Sequence, residues 1–405
     1  MKRLVLCFDG TWEARPSHRR RRRGHHATNV EKTHIAVGKQ DANGNLQLTS
    51  YYRGIGSATM RYWPGLTGQG ISATICDAYA FIADNFDFWA DELYLFGFSR
   101  GAYTARSLCG FLKWVGVLRK ENLVLLADAY EQYRLPEARR REEFRGDQLQ
   151  SLKEREPDSF PVRFLGVWDT VGSVGLPVPL LGRLVNRGRA DFHDVTLSTN
   201  VQHAFQALAI HERRVPFMPE VWKGVPHAGQ TVEQAWFAGT HADVGGGNLE
   251  TGLSDIALDW LICRAEKLGL AFDRAYLAKT TSPDAKCKVF NSSKGVWWLV
   301  PRRRRTFGTG INECCDPSVR LHVAHFATNP IPKRRKEWRS AEDAALLLGA
   351  CQPCGPDVVL STTDAANSDV KDSDIEAGVA AKKLEQIIKS QPPSVTILKP
   401  GSPKK

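Results

Sequence analysis

The sequence predicts an α/β fold: a mostly parallel sheet flanked by helices, with helical insertions. Three observations carry this expectation. Short apolar runs at 4–8, 93–96, 162–168 and 235–238 each end in a turn rich in glycine or aspartate. Segments with apolar residues at helical spacing, 71–88 and 102–115, lie between the early runs. Strands alternating with helices of this length suit parallel pairing, because a parallel neighbour needs a long crossover. Third, Leu93-Tyr94-Leu95-Phe96 leads through Gly97-Phe98-Ser99-Arg100-Gly101 directly into helical periodicity at Ala102, Ala105, Leu108, Leu112 and Val115. Strand, tight turn and helix around a G-x-S-x-G pattern is the context in which a serine is exposed at the head of a sheet.

Taken in order, residues 4–8 are the first strand, and Asp9-Gly10-Thr11-Trp12 is the turn that leaves it. Residues 15–26 form an arginine-rich polar loop without periodicity. Thr28-Asn29-Val30 opens a helix that runs to about Val37. Asp41-Ala42-Asn43-Gly44-Asn45 is a hairpin-type turn before a strand over 46–52, which ends in Tyr52-Arg53-Gly54-Ile55-Gly56. The loop 64–70 is glycine-rich, and the helix after it puts Ile71, Ile75, Ala78, Ile82 and Phe86 on one face. Residues 120–160 read as a helical insertion over the sheet, with an amphipathic helix at 122–134 and a charged stretch after Pro136. A strand over 162–168 ends in Asp169-Thr170-Val171-Gly172. Residues 174–184 form an apolar Pro/Gly/Leu loop, and 201–210 read as a helix. A strand over 235–238 ends in Gly239-Thr240-His241-Ala242-Asp243-Val244-Gly245-Gly246-Gly247, followed by a long helix with Leu253, Ile256, Leu258, Leu261, Ile262 and Leu268 along its stripe. The predicted organisation is one catalytic domain over 1–330, a peripheral helical extension over 331–354 and a flexible Ser/Asp/Ala/Lys/Pro-rich tail over 355–405.

Composition bounds the function. A chain of 405 residues with 42% hydrophobic content and eleven Trp can bury a large core. The nine cysteines are scattered, and several lie inside apolar runs, which predicts reduced, buried thiols rather than a disulfide framework. Met1-Lys2-Arg3 enters a strand without the apolar stretch of a cleavable signal peptide, and no apolar run is long enough to span a bilayer. Synthesis in the cytoplasm without a cleavable signal is expected. The net charge of +11 concentrates at 19–23, 302–305 and 333–336, so the expected partners are anionic. Aromatic residues do not interleave the arginines and no helix-turn-helix or zinc-finger pattern occurs, so nucleic acid is not the expected partner. Gly245-Gly246-Gly247 lacks the Gly-Lys-Ser/Thr of a phosphate-binding loop. Cys351 and Cys354, with Cys314-Cys315, His322 and His325, could in principle hold zinc, but no second C-x-x-C of finger spacing accompanies them. No metal or cofactor is predicted.

Ser99, Asp169 and His241 each follow a predicted strand, in the chain order Ser, Asp, His of α/β-hydrolases. In a parallel sheet the three strand ends share one edge, where these side chains can converge. Ser99 is a poor nucleophile until a base removes its proton, His241 is a base at neutral pH, and an acid must orient the imidazole and balance its cation. Asp169 is the preferred acid because it comes from a separate strand; Asp243, two residues after His241, is the alternative and otherwise fixes its own turn. The oxyanion donors are expected to be the Arg100 N–H, next to the nucleophile, and one from the Asp9-Gly10-Thr11 turn, at Gly10 or Thr11.

Six ordered blocks then support a family resemblance: Phe8-Asp9-Gly10-Thr11-Trp12, Thr28-Asn29-Val30, Tyr52-Arg53-Gly54-Ile55-Gly56, Gly97-Phe98-Ser99-Arg100-Gly101-Ala102-Tyr103, Trp168-Asp169-Thr170-Val171-Gly172 and Gly239-Thr240-His241-Ala242-Asp243-Val244-Gly245-Gly246-Gly247. Over about 1–325 the chain resembles the type VI secretion lipase-effector-like α/β-hydrolase domain. The resemblance implies a Ser-His-Asp esterase, and in effector members a phospholipase attacking bacterial membranes, with Ser99 as nucleophile, Asp169 as acid and His241 as base. It implies a phospholipid surface as partner, a secretion apparatus or immunity protein as further partners, and export by a contact-dependent system. Two blocks depart from the pattern: His211-Glu212-Arg213-Arg214 replaces Asp before Glu-Arg-Arg, and Asp316-Pro317-Ser318-Val319 replaces His before a similar Ser-Val. The competing readings are a soluble esterase for a small ester or thioester, and a non-catalytic scaffold for an anionic partner.

Overall fold

In a computed structural model, residues 1–10, 26–54, 69–87, 90–135, 153–155, 161–172, 197–292, 297 and 300–328 are described. Seven strands form one sheet: β1 (Lys2–Phe8), β2 (Leu46–Tyr52), β3 (Glu92–Phe98), β6 (Val162–Trp168), β7 (Val201–Ala209), β8 (Thr231–Phe237) and β9 (Glu313–Cys315). Their order is β2-β1-β3-β6-β7-β8-β9, and every neighbouring pair is parallel. The architecture is α/β-hydrolase-like, a parallel sheet flanked by helices.

Alternation along the strands explains how both faces are covered. Leu4, Leu6, Phe8, Leu93, Leu95, Leu165 and Val167 face one core, with the Gln69–Asn85, Arg100–Val115 and Leu126–Tyr133 helices over it. Val5, Cys7, Tyr94, Phe96, Phe98, Phe164 and Trp168 face the other, beneath the Asn29–Ala36 and Gly252–Lys267 helices. Burying both faces makes a central strand read as an unbroken apolar run.

That property accounts for one correction. Residues 201–210, expected to be helical, contain β7, which pairs with β6 and β8 in the middle of the sheet. Its Ala, Gln and Leu favour helix locally, and a short apolar run cannot be told from a buried helix by periodicity. The segment expected to be a helical insertion is also mixed. A 3₁₀ turn at Lys120–Leu125 precedes the Leu126–Tyr133 helix, and β5 (Lys153–Arg155) pairs antiparallel with β4 (Val117–Leu118). The cysteine expectation is corrected in part. Cys7, Cys76, Cys109, Cys263 and Cys287 are free, whereas Cys314 and Cys315 on β9 are each disulfide-bonded. No helix among the described residues is long and apolar enough to cross a membrane. The apolar loop at 174–184, the basic runs at 19–23 and 333–336, Cys351, Cys354 and everything from 329 onward lie outside the described residues.

The sheet order fixes where a site can form. From β1 the chain goes to β2 on one side and β3 on the other, so the direction of winding reverses between β1 and β3. Open α/β sheets bind ligands in the crevice that such a reversal leaves at the strand C-termini. Phe8 of β1 pairs with Gly97 of β3, so the Asp9-Gly10 turn and Ser99 leave the sheet side by side at that crevice.

Candidate active site

Ser99 follows β3 immediately, and the Arg100–Val115 helix starts at the next residue. Its backbone has φ 58° and ψ −122°. Three non-glycine residues among those described have positive φ, and two of them are Ser99 and Asp169, the latter at 42°. Such conformations are costly for side chains with a Cβ and persist where surrounding structure enforces them. Here the flanking glycines do so: a Cβ on Gly97 would stand 2.6 Å from the Ala102 Cα, and one on Gly101 2.2 Å from the Phe8 carbonyl oxygen. Strand, helix and the end of β1 therefore close tightly around the serine.

Asp169 follows β6, and its N–H donates to the Ala207 carbonyl on β7 at 2.8 Å, one step beyond the ladder that binds Trp168. His241 opens a short helix, His241–Gly245, four residues past the end of β8. The three meet in a line. Ser99 Oγ lies 2.8 Å from His241 Nε2, and His241 Nδ1 lies 2.6 Å from Asp169 Oδ2. The partners fix the tautomer: Nδ1 carries its proton toward the carboxylate and Nε2 offers a lone pair to the hydroxyl. The imidazole packs between two rings, Phe98 at 4.7 Å and Phe217 edge-on at 5.0 Å.

Asp243 does not reach the imidazole in this arrangement. Its Oδ2 accepts from the Thr240 N–H, Thr240 Oγ1 and Phe290 N–H, and its Oδ1 from Asn248 Nδ2 at 2.6 Å. It caps the helix that carries His241, and burial raises its pKa.

Asp9 organises the neighbouring turn. Its carboxylate accepts from Thr28 Oγ1 at 2.9 Å, from the Tyr51 hydroxyl and from the Gly10 N–H at 2.7 Å. Burial outweighs these bonds and pushes its carboxyl up to about 6. Gly10, one of the two oxyanion donors expected in this turn, lies against Ser99, and its N–H donates to Asp9 Oδ1. Thr11, the other donor expected there, lies outside the described residues. Arg100 heads its helix beside the same turn and lines a crevice with Asp9, Tyr52, Arg53 and Thr104; burial pulls its guanidinium down to about 10.

Other members of the site were not legible as such. Glu212, fully buried, accepts the His241 N–H at 3.3 Å and holds Arg214 through Nε at 2.9 Å and Nη2 at 2.7 Å. Arg214 stacks on Phe217 at 3.7 Å. Burial alone would raise the Glu212 pKa, but Arg214 and Arg305 hold it low. The His211-Glu212-Arg213-Arg214 block was visible in the sequence, yet nothing there tied it to the histidine. The run at 302–305, read as one of the basic clusters for an anionic partner, divides. Arg302, Arg303 and Arg304 are exposed, whereas Arg305 turns inward and pairs with Asp169. Among the described residues no group of three His, Cys, Asp or Glu side chains could hold a metal. His322 instead bonds the Ala285 carbonyl at 2.7 Å.

Comparison with known proteins gives the family. The family model described as "T6SS, Phospholipase effector Tle1-like, catalytic domain" matches residues 2–264. The chain belongs to this family. An uncharacterized protein of Saccharomyces cerevisiae, YEL023C, is 28% identical over 250 residues, covering 56% of this chain and 33% of its own. The Tle1-like chain thus spans about a third of the length of the curated relative it matches. Among solved structures it is similar to a Tle1 effector bound to the VgrG spike of a type VI secretion system, at 19% identity and TM-score 0.40, covering 61% of this chain and 51% of that one. It is also similar to an uncharacterized protein from Pseudomonas aeruginosa, at 15% identity and TM-score 0.36, covering 98% and 68%.

Proposed function

We propose that the chain is a serine esterase that hydrolyses carboxylic-ester bonds of glycerophospholipids, with Ser99 as nucleophile, His241 as general base and then acid, and Asp169 as the orienting carboxylate. The observation that carries the reading is the Ser99–His241–Asp169 hydrogen-bonded line at the C-terminal edge of a parallel sheet. Ser99 Oγ attacks the ester carbonyl while its proton passes to His241 Nε2. The tetrahedral oxyanion is met by the Arg100 N–H at the helix start, with the second donor from the turn that follows Asp9. Collapse releases the alcohol, which takes the proton back from Nε2 and leaves Ser99 acylated. Water, deprotonated by the same nitrogen, then frees the acid.

Family membership directs the substrate toward phospholipid, and it suggests contact-dependent export with a secretion-apparatus component and an immunity protein as partners. The strong basic clusters suit an anionic leaflet, to which each exposed Lys or Arg adds about 1 kcal/mol of attraction. The test compares wild type and Ser99→Ala on phospholipid vesicles and on a soluble p-nitrophenyl ester. Release of fatty acid and lysolipid by wild type, lost on the order of 10⁴-fold in the variant, is expected. Equal turnover by Ser99→Ala rejects the serine mechanism. Hydrolysis confined to the soluble ester rejects the phospholipid assignment and leaves a small-ester esterase.

A further inference from the structure

We infer that Arg305 is a positioning residue of the triad: its guanidinium forks both oxygens of the Asp169 carboxylate and holds that carboxylate in the orientation that His241 Nδ1 meets. The inference rests on the Ser99–His241–Asp169 reading.

The contacts are dense. Arg305 Nη1 donates to Asp169 Oδ1 at 2.5 Å and Nη2 to Oδ2 at 2.8 Å, a fork matched to both oxygens of one carboxylate. Nη1 also donates to the Ala209 carbonyl at 2.8 Å and Nη2 to the Phe217 carbonyl. Oδ1 receives the Ala209 N–H at 3.0 Å, and Oδ2 is shared with His241 Nδ1. Each carboxylate oxygen thus has two donors. The side chains are 1% and 0% exposed, so water cannot replace a lost donor. An ion pair this deep is a demanding arrangement: desolvation is repaid only when geometry is complete, and removing one member leaves a buried charge uncompensated.

The loop that delivers Arg305 is itself fastened to the elements behind His241. Arg303 N–H donates to the Arg213 carbonyl at 2.8 Å, and Val215 N–H to the Pro301 carbonyl at 2.9 Å. The strip it joins contains Glu212, which accepts the His241 N–H, and Phe217, whose ring rests on the imidazole. Arg305 therefore links the acid to the same strip that holds the base.

Behind the ring stand Asp169 and Arg305; beneath its backbone stand Glu212 and Arg214; on its own helix Asp243 turns to Thr240, Asn248 and Phe290; and Asp9 and Arg100 occupy the turns on either side of Ser99. Among the described residues the Asp169 oxygens are held by Arg305, His241 and the Ala209 N–H, so loss of the fork frees the carboxylate to turn away from Nδ1. The fork also fixes the carboxylate plane against which Nδ1 aligns.

The test measures kcat and KM for a soluble short-chain ester with the full chain as wild type, Arg305→Met, Arg305→Lys, Asp169→Asn and Arg305→Met/Asp169→Asn. Arg305→Met is expected to lower kcat by about 10–100-fold with KM little changed, the scale of a misplaced catalytic group. Arg305→Lys, which keeps the charge without the fork, is expected to leave kcat low. In the Asp169→Asn background the Met substitution should cost little further, because its effect passes through the carboxylate. If Arg305→Met does not fold, Arg305→Lys decides the matter: a wild-type kcat overturns the need for the fork. A folded Arg305→Met with the wild-type kcat, or a kcat loss that adds fully to that of Asp169→Asn, overturns the inference while a dead Ser99→Ala leaves the triad standing. An active Ser99→Ala removes the triad reading itself.

Discussion

Replacing Gly101 by alanine probes the tightness of the nucleophile turn directly. The new Cβ would sit 2.2 Å from the Phe8 carbonyl oxygen and 2.5 Å from that of Asp9. Both are backbone atoms of β1 and its exit turn, so no side chain can swing aside. The end of β1 and the start of the Arg100–Val115 helix must part by about 0.8 Å before the nearer contact reaches 3.0 Å. Forced overpacking of this kind costs roughly 1–3 kcal/mol, which appears as a fall of several degrees in Tm. The same displacement carries Ser99 away from the Asp9-Gly10 turn, and misplacement approaching 1 Å lowers a rate by about 10²-fold. A fitting control is Gly224→Ala, at φ 90° with nothing within 4 Å of the new atom. That change meets only the conformational penalty of about 1–2 kcal/mol. The assay pairs thermal unfolding with the rate of Ser99 labelling by a fluorophosphonate. Gly101→Ala should lose both stability and labelling, Gly224→Ala stability alone. Wild-type labelling by Gly101→Ala would refute the claim that close backbone approach positions the serine.

Two further outcomes are expected. Asp169→Asn should lower esterase turnover by about 10⁴-fold, whereas Asp243→Asn should lose about 1 kcal/mol of stability with turnover largely kept, since its carboxylate caps a helix; a folded but dead Asp243→Asn with an active Asp169→Asn reverses the assignment. Asp9, raised from 3.8 to about 6 by burial against the bonds from Tyr51, Gly10 and Thr28, keeps its proton in the fold over a range where the unfolded chain has released it. Stability from this group is therefore full below about pH 4 and falls as pH rises through 6, by at most about 3 kcal/mol. Asp9→Asn should flatten that part of the profile, measured by urea unfolding at pH 4.5 and 8, and an unchanged pH slope would count against a raised Asp9.

The triad candidates were legible because each lies at or just beyond the end of a strand whose turn carries glycine or aspartate. Phe98-Ser99, Trp168-Asp169 and the Gly239-to-Gly247 turn were read from that punctuation together with the G-x-S-x-G pattern, the Ser, Asp, His order and the family resemblance, and parallel pairing brings them to one edge. β7 was misread because a strand buried on both faces loses its period of two, and its composition favours helix. Arg305 was hidden for a different reason. Four consecutive arginines are equivalent in sequence, and only the path of the loop decides which guanidinium enters the core. The Gly10 N–H was hidden likewise, because the competing acceptor is the side chain of the residue before it.

The motifs also end before the site does. The family match stops at 264, but three contributions to the site come later. β9 pairs with β8 through Ala235–Cys314 and Trp236–Cys315, and so covers the edge of the strand that leads to His241. The Phe290 N–H holds Asp243 in its capping position. Arg305 neutralises the carboxylate that faces the imidazole. Each acts on the placement of the base or its acid rather than on a reacting atom. On the proposed triad, motif-bearing turns supply the reacting groups and the later segment supplies the buried partners that hold them in register, so a variant truncated after 264 is expected to lose activity even though it keeps Ser99, Asp169 and His241.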